Sequence, residues 1–378
     1  MVTGAAVHAG PVGTALPHGS TALVSFPGTG GLTETGLMHL PHAEPPASGF
    51  PVVVFGHMTT GGSPRSAPSG GHPGHPEWRR MSQGDALCDQ LLRRGIAVLR
   101  PDYPGIGGEG VHPYLLGRPL ADSLRAILRA RRDLDPRLGD AWVAAGHSEG
   151  AVAALFASVM EEPDSRTRLC GTAAITPVTR MDLSIRASAA LPGIVPGSGV
   201  VSALVALMLR GAATEDDRMR TLLEGGGLSA GVRARWRDLD ELTLTELAGA
   251  ASWGSVAPGR IGGPDGRELF HRLFASFRAN EVADLRGFRA PVRIDAARFD
   301  EVAPAPLSAA LLRTYRAAGV ELTHRWWPSH HSGTMRASHA PPAVAEWIAA
   351  RFAAAGSAPR RTPSGQFLWV EAARTRRN

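Results

Sequence analysis

Lysine is missing from this 378-residue chain: all 40 of its Lys and Arg positions are arginine. That skew reads as GC-rich coding bias more than as selection for a basic surface. The arginines are interleaved with 34 acidic residues and the net charge is only +6. Nucleic acid is therefore not expected as a partner, because binding it needs a clustered basic stripe. The exception is the tail, with Arg360, Arg361, Arg374, Arg376 and Arg377. Cysteine is almost absent: Cys88 and Cys170 are too few for a disulfide framework. Cys88 falls in an expected helix and Cys170 at the start of an expected strand, so both are expected buried and reduced. Long apolar runs are missing too. The longest, Val200 to Leu209, is far short of the roughly 20 residues of a membrane span, so no stable membrane insertion is expected. The first residues show neither a basic n-region nor an apolar h-region. A cytoplasmic protein is expected on that basis, although a signal already removed would leave no trace.

Among what is present, 43% hydrophobic residues suit an ordinary globular core. Short apolar runs alternate with helical patterns. Thr21–Phe26 and Leu37–Leu40 read as paired antiparallel strands. Val52–Phe55, Ile96–Leu99, Ala141–Ala145, Leu169–Ile175, Val292–Ala297 and Val320–Trp326 read as buried strands. Helices are expected at Asp85–Arg94, Leu120–Leu134 and Ala343–Ala355. This order predicts an α/β architecture: a mostly parallel central sheet flanked by helices. Between Ile175 and Val292 the alternation stops and a largely helical insertion is expected. The expected organisation is a loose arm at 1–20, a core at 21–177, a helical cap at 178–289, the second part of the core at 290–356, and a basic tail at 357–378. Thr59–His75, rich in Gly, Ser, Pro and His, reads as a flexible loop near the site.

Gly146-His147-Ser148-Glu149-Gly150 lies between an expected strand and an expected helix. Strand, Gly-x-Ser-x-Gly, helix is the order of a nucleophile elbow, a turn that holds a serine hydroxyl above the sheet edge. The pentapeptide alone is weak evidence, since Gly227-Leu228-Ser229-Ala230-Gly231 matches it too. No strand enters that second copy, which reads as a helix end and restart.

A serine nucleophile needs a base, and the base needs an acid to orient it. Asp300 follows the strand that ends near Ala297. His330 and His331 follow the strand that ends near Trp326. The order Ser, Asp, His, each after a strand, is far more specific than the pentapeptide. His331 is favoured as base because Ser332-Gly333 follows it, with His330 as rival. Glu301 and Asp295 are rivals to Asp300, and Asp295 reads as a buried hydrogen-bonding residue inside its strand. The oxyanion donors are expected to be the N–H groups of Glu149 and of Thr59, with Met58 the alternative to Thr59. Tyr103, His57, Leu207 and Met208 are expected around the substrate, and His57 reads as structural support for its loop more than as a second catalytic base. His72 and His75 lack acidic or cysteine partners at ligand spacing, so no metal is expected. No cofactor is implied.

The chain resembles the secretory-lipase family of α/β-hydrolases. The resemblance is carried by His57-x-Thr59-Thr60-Gly61, Asp102-Tyr103-x-Gly105-x-Gly107 and His112-Pro113-Tyr114-Leu115. It continues through Gly146-His147-Ser148-x-Gly150, Asp300-Glu301-Val302-x-Pro304 and His331-Ser332-Gly333. It spans roughly 52–351, and the long insertion matches that family's helical cap. Met58 stands where the family usually has Gly, and Ala151 where it usually has a second Gly after the elbow. The resemblance implies an esterase or lipase that acts on a small hydrophobic ester through an acyl-enzyme. The alternatives are acyl transfer or lactone formation by the same triad, or a catalytically silent small-ligand binder. The sequence leaves the oligomeric state open.

Overall fold

A computed structural model describes residues 4–8, 10, 12–161, 166–190 and 198–356, and the backbone of 359–361 and 367–369. Nine strands form one mixed sheet: β1 (Ala6–His8), β2 (Gly19–Pro27), β3 (Thr33–Pro41), β4 (Phe50–Gly56), β5 (Ala97–Pro101), β6 (Leu138–His147), β7 (Arg168–Ile175), β8 (Val292–Ala297) and β9 (Leu322–Trp327). Their spatial order is β1-β2-β3-β5-β4-β6-β7-β8-β9. β1, β2, β3 and β5 pair antiparallel, and the run from β5 to β9 is parallel. Each expected strand is present; β2, β3, β4 and β6 run three to five residues longer than the apolar runs that signalled them, and β8 coincides with its run. In the stretch expected as an arm, β1 adds an edge strand and Leu16 is buried.

Helices of two turns or more are numbered α1 (Asp85–Leu92), α2 (Gly117–Arg129), α3 (Glu149–Val159), α4 (Met181–Ala189), α5 (Ser198–Ala212), α6 (Asp217–Glu224), α7 (Gly266–Ala279), α8 (Ala305–Ala317) and α9 (Ala340–Ala354). α1 ends before Gly95, which at φ 69° supplies the left-handed turn into β5. β4 and β6 at the sheet centre are buried along almost their whole length. They read as continuous apolar runs because both faces of a parallel sheet are covered. Two cores result. One holds Val53, Phe55, Val98, Val143 and Ala173 against α1 and α9. The other holds Val52, Val54, Leu99 and Ala144 against α2 and α3 and runs on into the inserted helices.

Between β7 and β8 lies the inserted helical region with α4 to α7. The longest apolar stretch becomes α5, buried in the main core through Ala203, Val205, Leu207, Met208 and Leu209. No described helix is long and apolar enough to cross a membrane. The tail arginines at 374, 376 and 377 lie outside the described residues. In the tail, Pro359–Arg361 pairs antiparallel with Phe367–Trp369.

Candidate active site

All parallel strands point their carboxyl ends at one edge of the sheet, and the site is built there from the loops beyond four of them. Ser148 sits between β6 and α3 with φ 57° and ψ −116°, a conformation costly for a non-glycine residue. The positions two residues to either side must be glycine for a separate reason. A Cβ on Gly146 would overlap the Gly150 carbonyl, and one on Gly150 would overlap the Gly56 carbonyl at the end of β4. The remaining described non-glycine residues at positive φ are Tyr103, Leu115, Thr176 and Arg180. Tyr103 and Thr176 lie just beyond β5 and β7, so backbone strain gathers at this edge.

Ser148 Oγ lies 2.8 Å from His331 Nε2, and His331 Nδ1 lies 2.9 Å from both Asp300 carboxylate oxygens. Nδ1 faces only a carboxylate, so it carries the proton, and Nε2 is left to accept the serine hydrogen. Asp300 is itself fixed by the backbone N–H groups of Val302 (2.9 Å) and Ala303 (2.6 Å). Glu301, the rival acid, accepts the His331 backbone N–H at 3.1 Å and so steadies the base. His330, the rival base, accepts a hydrogen bond from Gly333 N–H through its Nδ1 at 3.3 Å. Asp295 is held by Arg293 (2.6 and 3.0 Å) and by Trp327 Nε1 (2.8 Å), inside the sheet. The triad is covered: Ser148 is 5% exposed, His331 2% and Asp300 8%. His147, beside the serine, packs its ring 5.2 Å from that of His331. Burial, and then the nearness of His331, pushes its pKa well below the ordinary value, so it stays neutral.

The loop after β4 carries His57, Met58 and Thr59. His57 Nδ1 faces the Met58 carbonyl at 2.6 Å, and its ring packs 4.5 Å from Tyr103. Both rings are buried beneath the loop. The Thr59 hydroxyl donates to Tyr114 Oη at 3.0 Å. Thr59–His75 was expected to be flexible, and the structure corrects this: Thr59 to Ser63 and Ser66 to Pro68 are buried. The inserted region holds this loop. Leu244 N–H donates to Thr60 O at 2.9 Å, Gly61 bridges Thr243, and Ser63 Oγ donates to Leu242 O at 3.1 Å. Arg65 pairs with Glu246 at 3.0 Å. The buried Glu77 accepts Thr245 N–H at 2.7 Å and Arg80 at 2.8 Å. Apart from Arg80, these partners are far apart in sequence, so composition could not reveal them. Leu207 on α5 reaches the same loop, since a Cβ on Gly62 would lie 2.7 Å from its Cδ2.

A strand–serine–helix elbow at the edge of such a sheet, with histidine and aspartate in register, defines a serine hydrolase of the α/β-hydrolase fold. The secretory lipase family model matches residues 81–358, so the chain belongs to the secretory lipase family. Solved structures share the architecture. Candida antarctica lipase A in its closed state has a TM-score of 0.69 at 13% identity, with 98% of this chain and 85% of that chain covered. The rice cell wall degrading esterase LipA from Xanthomonas oryzae has a TM-score of 0.67 at 15% identity, with 87% and 91% covered. At such identities the likeness is one of fold. None of the curated proteins matches the chain in sequence. Family membership overturns the expectation of a cytoplasmic protein: the secretory description points to an extracellular enzyme. The cytoplasmic expectation rested on what a short N-terminal stretch lacks, whereas the match rests on core and insertion together. The protein acts on ester substrates through an acyl-enzyme.

Proposed function

We propose that the protein hydrolyses a small carboxylic ester with an apolar acyl group, with Ser148 as nucleophile. The supporting observation is the continuous chain Ser148–His331–Asp300, with contacts of 2.8 and 2.9 Å. Ser148 Oγ attacks the ester carbonyl while His331 Nε2 takes its proton. The protonated imidazole, held by Asp300, then delivers that proton to the leaving alkoxide. Water repeats the sequence on the acyl-enzyme and releases the acid.

The N–H groups of Glu149 and Thr59 are assigned to the oxyanion, with Met58 the alternative on the same loop. Glu149 is the first residue of α3, where a helix presents unpaired N–H groups and the positive end of its dipole. Leu207 and Met208 are assigned to the wall of the acyl pocket, which their helix and the contact with Gly62 support. Tyr103 and His57 are assigned to its floor, acting through the loop they underpin. Residues 178–289 are assigned as the cap. Enclosure of Ser148 limits access of bulk water, which favours acyl transfer to an alcohol as the second reading.

The test is release of p-nitrophenol from short and medium acyl esters, with and without added alcohol. Turnover that vanishes in Ser148→Ala supports the assignment, and ester formation with alcohol favours transfer. Absence of both turnover and fluorophosphonate labelling overturns it.

A further inference from the structure

Glu149 follows the nucleophile directly, and its carboxylate is fully buried. A buried carboxylate needs a counter-charge or a proton. His112 supplies the contact, with Nε2 2.8 Å from Glu149 Oε1. The approach is close without being a well-aligned hydrogen bond. Neither imidazole nitrogen and neither carboxylate oxygen has another hydrogen-bond partner among the described residues. Each group therefore has the other as its polar neighbour.

The histidine stands in a stack of buried rings. His57 packs on Tyr103 at 4.5 Å, Tyr103 on His112 at 5.8 Å, and His112 on Tyr114 at 5.9 Å. Tyr114 in turn accepts the Thr59 hydroxyl. The stack thus runs from the loop assigned to one oxyanion donor to the side chain of the residue assigned as the other. Burial, and then the Glu149 charge, pushes the Tyr103 and Tyr114 hydroxyls up, so both stay protonated. Burial holds His57 down and neutral, with Asp102 beyond it.

We propose that His112 is a positioning residue for the reaction: it fixes the Glu149 carboxylate, aims the backbone N–H of Glu149, and cancels a negative charge next to the forming oxyanion. The inference rests on the ester-hydrolase reading above. An isolated carboxylate on the residue bonded to the nucleophile opposes negative charge on the substrate oxygen. A carboxylate matched by a proton on His112, or carrying that proton itself, does not.

The experiment measures kcat and KM at one alkaline pH for the parent, His112→Gln, and the double variant His112→Gln/Glu149→Gln. Rates are normalised to the fraction labelled by a fluorophosphonate. The single variant is expected to lose roughly a hundredfold in kcat at alkaline pH with KM little changed. The double variant is expected to regain at least about tenfold, because no charge remains. Affinity for an alkylboronic acid, which mimics the tetrahedral intermediate, should follow kcat. A double variant no better than the single, or a loss that falls on KM instead of kcat, overturns the proposal. Should His112→Gln fail to fold, Glu149→Gln and Glu149→Leu replace it. The amide still meets His112 and should lose about tenfold, whereas leucine should lose about a hundredfold. Equal losses overturn the proposal. A parent without turnover would instead sink the esterase reading itself.

Discussion

Two pentapeptides of the form Gly-x-Ser-x-Gly occur in this chain, and the structure treats them in opposite ways. At 146–150 the chain leaves β6, turns at a serine with φ 57°, and enters α3 with both glycines pressed against backbone. At 227–231 the serine has φ −65° and opens a single helical turn, Ala230–Arg233, with its hydroxyl donating to Arg260 O at 2.9 Å. A Cβ on Gly231 would touch nothing within 4 Å. The pattern acquires chemical meaning only when a buried parallel strand enters it, because the strand forces the reversal and the close approach of β4.

The strongest break in the comparison comes from removing each hydroxyl. Ser148→Ala is expected to lower kcat by about 10⁶-fold, while Ser229→Ala leaves turnover of p-nitrophenyl esters unchanged. Equal effects would end the distinction. Next come the glycines. Gly150→Ala sets a methyl group into the Gly56 carbonyl, where no rotamer change relieves the overlap. A loss of about 3 kcal/mol or more is expected in chemical denaturation, together with loss of fluorophosphonate labelling.

His147 offers a subtler test, since leucine occupies the same place in the other copy. Its folded pKa lies below the ordinary value because of burial and then His331. As pH falls below about 6.5, the unfolded chain gains a proton that the folded chain refuses, so stability declines on acidification. Above that pH both states are neutral and the contribution vanishes. His147→Leu is expected to reduce the acid-side slope by up to about 1.4 kcal/mol per pH unit, read from denaturation midpoints at pH 7.5 and 5.5. An unchanged slope would mean His147 takes up its proton in the folded state. The smallest effect is expected at Gly231→Ala, within about 0.5 kcal/mol of the parent.

Much of this could be read from residues in order. Val52–Phe55, Leu169–Ile175 and Val292–Ala297 announced buried strands, because a two-sided sheet core demands unbroken apolar runs. Asp300 and His331 were legible since each follows such a run in the order an elbow serine needs. The choice between neighbouring histidines came from the small pair after His331, and His331 is the one whose Nε2 lies 2.8 Å from Ser148 Oγ. The loop at 59–75 misled, because Gly, Ser, Pro and His describe a segment that must turn, not one that must move. Its order comes from Thr243, Leu244 and Glu246, far along the chain. The burial of the Glu149 carboxylate was equally illegible: a charged residue in a glycine turn normally points to water, and only the fold brings His112 to it.

The hydrogen bonds that tie Thr60, Gly61 and Ser63 to residues 242–244 also bear on exchange between relatives. An insertion that merely rested on the core could be replaced as a detachable part to change substrate preference. This one shares main-chain pairing with the loop beside the nucleophile, so a chimera carrying a foreign insertion would inherit a mismatched edge there. The transferable unit is the insertion together with residues 57–80. Grafts that respect that seam should keep their chemistry, and those that cut across it should keep their fold but lose their rate.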